Sequence, residues 1–393
     1  MGGAVRFTGG SPDQQAFAAQ ALRVDPRETR PHVHGFHSYP ARLHPATAAS
    51  VIEALSAPGA SVLDPFCGSG TSLVEAKRLG RRGLGSDLNP LALELCWLKT
   101  LAPTPDFLAL LRSASAGSVE FAEDRRITKA GPLQAYPQAT RRAFPIHVLL
   151  ELDSLQHAVR AVPDTRVRRA LLLVFSSLLT KVSNQQSDTS KKVVVPRLRS
   201  GFTIDLFGKK VSELCEQIKQ YQALLPANAP KPKFFEKDAR QLTVVSNASV
   251  DLIVTSPPYP GVFDYLEHHQ LRLKFLKLDD ATFRMKEIGA RRNYETLDFG
   301  AAQARWRAEF VPCMQEMGRV LRPGGHAVLI VADSAVAGQA LRADRLLAEW
   351  ARATPLRVVM TASQQRPNFH NQSRDAYRDR GRSEHLLLLE RAR

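Results

Sequence analysis

The sequence predicts an α/β fold, an open sheet whose ligand site lies at the C-terminal ends of its strands. Three observations predict it. Short apolar runs of strand length, Val62-Leu63, Gly83-Leu84-Gly85 and Leu252-Ile253-Val254, each lead into an acid or a proline corner. The first is followed by Gly68-Ser69-Gly70 and a helix-like run, Leu73-Val74-Glu75-Ala76. Glycines there let the backbone turn tightly and approach a ligand. The third runs into Thr255-Ser256-Pro257-Pro258-Tyr259. Two successive prolines lack amide donors and cannot extend a central strand, so this corner ends the strand where open α/β sheets hold ligands.

The acids narrow the ligand. Asp64 precedes the glycine turn, and Asp87 ends the next strand 23 residues later. An acid about 20 residues past a glycine turn is placed to bond ribose hydroxyls. A dinucleotide fingerprint does not fit, because Leu73 stands where its third glycine would fall. Asp64 suits a cationic ligand better than a pyrophosphate, and a sulfonium nucleoside with an α-amino group meets that demand. At the proline corner, Ser256 offers a hydroxyl and Tyr259 an aromatic face, a pairing suited to a flat amino-bearing ring.

Asp64-Pro65-Phe66-Cys67-Gly68-Ser69-Gly70-Thr71 together with Thr255-Ser256-Pro257-Pro258-Tyr259 resembles the S-adenosylmethionine-dependent DNA amino-methyltransferases. The serine form of the second motif resembles the cytosine-N4 branch more than the adenine-N6 branch. The resemblance covers most of residues 32–99 and 233–391. It implies a Rossmann-like, seven-stranded methyltransferase sheet with S-adenosylmethionine over the first two strands. His37 to Pro45, with Tyr39 and Pro40, resembles the segment over the methionine part of that cofactor. Asp238 resembles the third-strand acid that receives the adenine amino group. Arg319 to Gly325 resembles the turn before the fifth strand, and Glu384 to Glu390 the closing antiparallel strand. Carried over residue by residue, the cofactor site is Tyr39, Pro40, Asp64, Phe66, Gly68, Gly70, Thr71, Asp87, Asp238 and Thr255. The catalytic corner is Ser256, Pro257, Pro258 and Tyr259. DNA is the implied partner, and a restriction endonuclease is a second partner the resemblance admits.

The remaining elements follow in order. Residues 1–30 lack periodicity and read as a flexible arm. Residues 31–105 form the cofactor-binding half, with helices over 46–56 and Leu91 to Leu101. Residues 106–232 change character to helical spacing, as in Phe144 to Val162 and Val167 to Val182, giving a mainly helical insertion between the second and third strands. Residues 233–393 form the catalytic half, and residues 260–310 within it form a lid or DNA-contacting insertion. In the family arrangement with this motif order, recognition residues lie between the third-strand acid and the corner. Here that gap holds only Ala239 to Val250, and the large insertion comes earlier.

Charge points the same way. The net charge is +16, and residues 166–210 carry ten Lys or Arg against Asp188 and Asp205. A surplus of this kind is the footprint of a polyanion partner. Lys191, Lys192, Arg197 and Arg199, with Arg291 and Arg292 in the second insertion, are the expected DNA contacts. Other chemistries fit less well. No run reaches the roughly 20 apolar residues of a membrane span, and the N-terminus lacks a signal-peptide layout. The four cysteines are scattered without zinc spacing and suit a cytoplasmic setting, nucleoid-associated when bound to DNA. Cys313 follows Pro312 but lies too late for a C5-methylating nucleophile. His32, His34, His37 and His44 have no carboxylate or cysteine at ligand spacing, so no metal is expected. An adenine-N6 enzyme, an RNA base amino-methyltransferase and a catalytically silent nucleic-acid-binding protein on this fold are the alternatives.

Overall fold

The computed structural model describes residues 3–25, 27–185, 194, 196–367 and 375–392. The chain opens with strand β1 (Val5–Gly9) and helix α1 (Pro12–Leu22), where the sequence led us to expect a flexible arm. Helix α1 starts on a reciprocal cap: the Ser11 hydroxyl accepts from Gln14 N at 3.3 Å, and the Gln14 side chain accepts from Ser11 N at 2.9 Å. After a short 3-10 turn (His32–Gly35), α2 (Pro45–Leu55) leads to β2 (Ser61–Asp64), α3 (Thr71–Arg78), β3 (Arg82–Asp87) and α4 (Pro90–Lys99).

Five helices then precede the next strand: α5 (Pro105–Ile127), α6 (Gln138–Ala143), α7 (Ile146–Arg160), α8 (Thr165–Val182) and α9 (Phe202–Ala223). Two have a side-chain cap. Thr104 caps α5 ahead of Pro105, and Asp164 caps α8 by accepting from Arg166 N and Val167 N at 2.9 and 2.8 Å. Their apolar faces meet one another and α4 in a core that includes Leu111, Leu152, Val174, Phe175 and Phe207. The layer is self-packed, which explains why so long a segment can stand beside the sheet.

The chain resumes with β4 (Lys233–Glu236), β5 (Val250–Thr255), α10 (Tyr265–Leu276), α11 (Ala281–Lys286), α12 (Phe299–Val320) and β6 (Leu321–Ala332). A small hairpin, β7 (Ser334–Val336) and β8 (Gln339–Leu341), precedes α13 (Ala343–Ala351), β9 (Leu356–Gln365) and β10 (Ser383–Arg391). The main sheet has eight strands in the order β1-β9-β10-β6-β5-β2-β3-β4. It is parallel from β4 through β6 and antiparallel beyond. The expected count of seven is therefore one short, because β1 adds to β9 at the antiparallel edge. Helices α12 and α13 cover one face through Trp306, Met317 and Trp350; α1 and α2 cover the other through Leu22, Val51 and Ile52.

Gly9 shows how closely β1 is seated. Its φ is +74°, and a Cβ there would lie 2.6 Å from the Val359 carbonyl oxygen. Gly9→Ala is expected to cost about 1–3 kcal/mol through backbone strain and lost edge pairing. Equilibrium denaturation measures it, and an unchanged midpoint would mean that β1 is not an integral strand.

Candidate active site

The strand ends converge through one buried carboxylate. Asp64 Oδ1 accepts from the Phe66 amide at 3.1 Å and from the Thr255 hydroxyl at 2.6 Å. Asp64 Oδ2 accepts from the Ser72 hydroxyl at 2.7 Å. The end of β2, the first turn of α3 and the end of β5 thus share one acid. Burial pushes the Asp64 carboxyl up to about 6, against the pull of these donors.

Asp87 does similar work one strand over. It accepts from the Gly68 amide and the Asn89 amide, both at 2.8 Å, and burial pushes it up to about 6. The glycine loop is therefore held from below. From above it is covered by Tyr39, whose ring would lie 3.3 Å from a Cβ at Gly68. The Tyr39 hydroxyl accepts from Asn89 Nδ2 at 3.2 Å, and its ring stacks on His269 at 4.7 Å. Gly70 has φ +87°, and a Cβ there would approach Cys96 Sγ to 2.9 Å, so the turn into α3 requires glycine.

These elements enclose a cleft of two lobes. The larger, about 660 Å³ of space open to solvent, is lined by Phe66, Gly68, Asp87, Asp238, Ser256 and Pro258 among others. The smaller, about 310 Å³, is lined by Asp64, Gly68, Ser69 and Thr71. Tyr39, Ala41, Phe66, Gly68 and Ser256 border both. Residues chosen from two distant segments thus form one wall. Asp238 faces the cleft with both oxygens engaged by Arg240, at 2.9 and 2.8 Å.

Five of the expected residues do not line the cleft. Pro40, Gly70, Thr255, Pro257 and Tyr259 stand behind or beside its wall. Thr255 acts through Asp64, and Gly70 through the turn it permits. The Tyr259 hydroxyl lies 3.3 Å from Ser256 Oγ, and burial pushes it up to about 12. The lid segment supplies what residue-level reading missed: Tyr265, Phe283, Glu287 and Ile288 line the larger lobe. The signal was present only as a segment after the proline corner, since no local pattern singles out one of these side chains.

The expected DNA contacts divide. Lys191 and Lys192 lie outside the described residues. Arg197 is exposed, and Arg199 pairs with Asp205. Arg291 and Arg292 have acid partners within their own segment. Arg292 Nη1 bonds Asp264 at 2.5 Å and Glu287 at 2.8 Å, while Arg291 meets Asp264, Glu267 and Glu295 within 3.6 Å. Their charges serve the lid. The histidines also gain a partner that spacing did not show. His34 Nε2 lies 2.8 Å from Glu75 Oε1, with His32 close by, although Glu75 Oε2 also accepts from Arg78 at 2.7 Å. A ring nitrogen and a guanidinium account for this buried acid without an ion.

Residues 15–96 match the N6/N4 methyltransferase family model, described as DNA methylase. The chain is 24% identical over 281 residues to the Type II methyltransferase M.MvaI of Kocuria varians, covering 65% of this chain and 60% of that protein. It is 23% identical over 260 residues to the Type II methyltransferase M.BsoBI of Geobacillus stearothermophilus, covering 58% and 49%. Over 64 residues it is 34% identical to M.MjaII of Methanocaldococcus jannaschii, covering 16% and 12%. The chain thus spans between about an eighth and three fifths of these relatives, and along those stretches it is similar to DNA methyltransferases of the N6/N4 type.

Because Asp64 and Asp87 are raised from an unfolded value of about 3.9, their contribution to stability is present in full below pH 4 and is lost as pH rises through about 6. Thr255→Val removes a donor that favours the Asp64 carboxylate and raises its pKa further. The substitution is expected to cost about 1–3 kcal/mol, more at pH 7.5 than at pH 5. Urea denaturation at the two pH values measures it, and an equal cost at both would mean that Thr255 does not act through the Asp64 charge.

Proposed function

We propose that this chain is a DNA methyltransferase that uses S-adenosylmethionine to methylate the exocyclic N4 amine of a flipped-out cytosine. The observation that carries the proposal is Ser256: it borders both lobes of the cleft, beside Gly68 and Tyr39, at the end of β5. The family match and the Type II relatives support the DNA amino-methyltransferase reading, and the serine at 256 supports cytosine. The Type II designation of those relatives also supports a place beside a restriction endonuclease.

The residues fit the cofactor. Two buried acids raised to about 6 are an uncompensated cost, and a ligand carrying ammonium and sulfonium charge would offset it. Gly68 leaves room for a ligand against Tyr39 that a Cβ would fill. The larger lobe brings Asp87, Asp238 and Ser256 to one wall, where a nucleoside would meet all three. Asp64, Ser69 and Thr71 would hold the amino-acid portion, Asp87 the ribose, and Asp238 with Ala239 the adenine edge. The cofactor supplies a methyl group on a sulfonium sulfur.

The protein's own contribution is orientation and polarisation. The cytosine amine is a weak nucleophile because its lone pair is delocalised into the ring. The Ser256 hydroxyl can donate its proton to the Tyr259 oxygen, which leaves Ser256 Oγ free to accept from the amine. The Pro257 carbonyl accepts the second amine hydrogen. Both contacts turn the nitrogen lone pair toward the methyl group, and Tyr259, behind the cleft wall, acts on the base through the Ser256 hydroxyl. Such acceleration is positional and electrostatic, with no covalent enzyme intermediate. A base paired inside a duplex must be extruded to reach this corner.

Ser256→Ala is expected to lower turnover at least 100-fold while cofactor affinity changes less than threefold. Single-turnover methylation and calorimetric titration measure the two, and parallel losses would contradict the assigned role. Digestion of treated DNA to nucleosides should yield N4-methylcytosine. N6-methyladenine would move the target to adenine, and unmodified DNA across varied sequences would overturn the proposal.

A further inference from the structure

The structure brings together a cluster of cations that no sequence pattern joins. Arg141 and Arg142 end α6 and are exposed, and Lys274 on α10 is exposed as well. Lys274 reaches the same turn of α6: the Thr140 hydroxyl, one residue before Arg141, accepts from Lys274 Nζ at 3.1 Å. Among the described residues, none of the three enters an ion pair. The nearby acid, Asp153, is 1% exposed and accepts from the Leu133 amide and the Tyr136 hydroxyl. Packing makes the cluster rigid: Phe275 contacts the rings of Tyr136 and Phe144 at 6.3 and 5.9 Å.

We propose that Arg141, Arg142 and Lys274 form a face that grips the phosphate backbone of duplex DNA on one side of the target base. This inference rests on the DNA methyltransferase reading. Its geometry follows from α10, which begins at Tyr265 on the cleft wall and reaches the cluster at Lys274. Nine helical residues span about 14 Å, roughly four base-pair steps of a duplex. One helix therefore connects the cleft to a basic face about four phosphates along a strand from the target base. Asn184 extends the same face: its side chain donates to the Arg142 carbonyl at 2.9 Å and its amide to the Ala143 carbonyl at 2.8 Å. The lid arginines 291 and 292, already matched by acids, take no part.

The test is the salt dependence of binding to a fluorescent duplex, which requires no turnover. Each lost phosphate contact flattens the log–log slope by about 0.9. Arg141→Gln with Arg142→Gln should flatten it by about 2 and raise KM for DNA, with kcat at saturating DNA within twofold of the parent. Arg141→Lys with Arg142→Lys keeps the charge and should restore the slope, which separates lost charge from lost folding. An unchanged slope in the glutamine variant would overturn the face, as would a duplex RNA of the same sequence binding as tightly with the same slope change. Absence of methyl transfer by the parent protein would strike the functional reading alone, and the slope would still decide the face.

Discussion

Asp64 receives hydrogen bonds from three segments that the chain keeps apart, and the rest of the site is arranged around that contact. Its partners are the amide just past β2, a hydroxyl in the first turn of α3, and the Thr255 hydroxyl 191 residues away. Holding a carboxylate in a buried position is costly, and its raised pKa records that cost. What it secures is register. Thr255 immediately precedes Ser256, so the acid that shapes the glycine loop also sets where the proline corner begins. The parallel pairing of β2 with β5 brings the two ends level, and Asp64 joins them there.

A second constraint ties residues 260–310 together. Asp264 and Glu287 stand at opposite ends of a segment that leaves the corner and returns to it, and Arg292 bonds both. Glu287 also accepts from the Tyr265 amide, and Gly289 donates to Glu309. The Gly261 amide bonds the Gly289 carbonyl at 3.0 Å, which returns the segment to the residues after Tyr259. A basic dipeptide on an apparent loop thus serves as the internal tie of a cleft wall. Half-buried arginines with acid partners are less available to phosphates than exposed, unpaired ones.

That layer gives the protein its unusual proportions. Its helices share one core with α4 and α10, so they pack as part of the protein body. Helix α10 packs against α8 of this layer and against α4. Arg272, on α10 and 1% exposed, bonds Ser38 at 3.0 Å and Thr180 at 2.8 Å, joining the cleft cover to α8.

How much of this was legible in the sequence follows from the range of each signal. The glycine turn, Asp87 and the proline corner announce themselves because backbone conformation and strand ends are local properties. Most of their side chains do line the cleft. Other roles depended on partners that no local pattern points to, between 5 and 191 residues away. Thr255 serves Asp64, Arg292 serves Asp264 and Glu287, and His34 finds Glu75 because α3 packs beside the 3-10 turn. The extra strand β1 was illegible for the same reason: five residues without strong alternation become a strand only when β9 offers an edge. The sequence by itself determined the strand-end chemistry and the kind of ligand it suits, since spacing and residue type are written along the chain. Which charges remain for a partner was decided by the tertiary structure, because a charge is available only after the fold has matched the others.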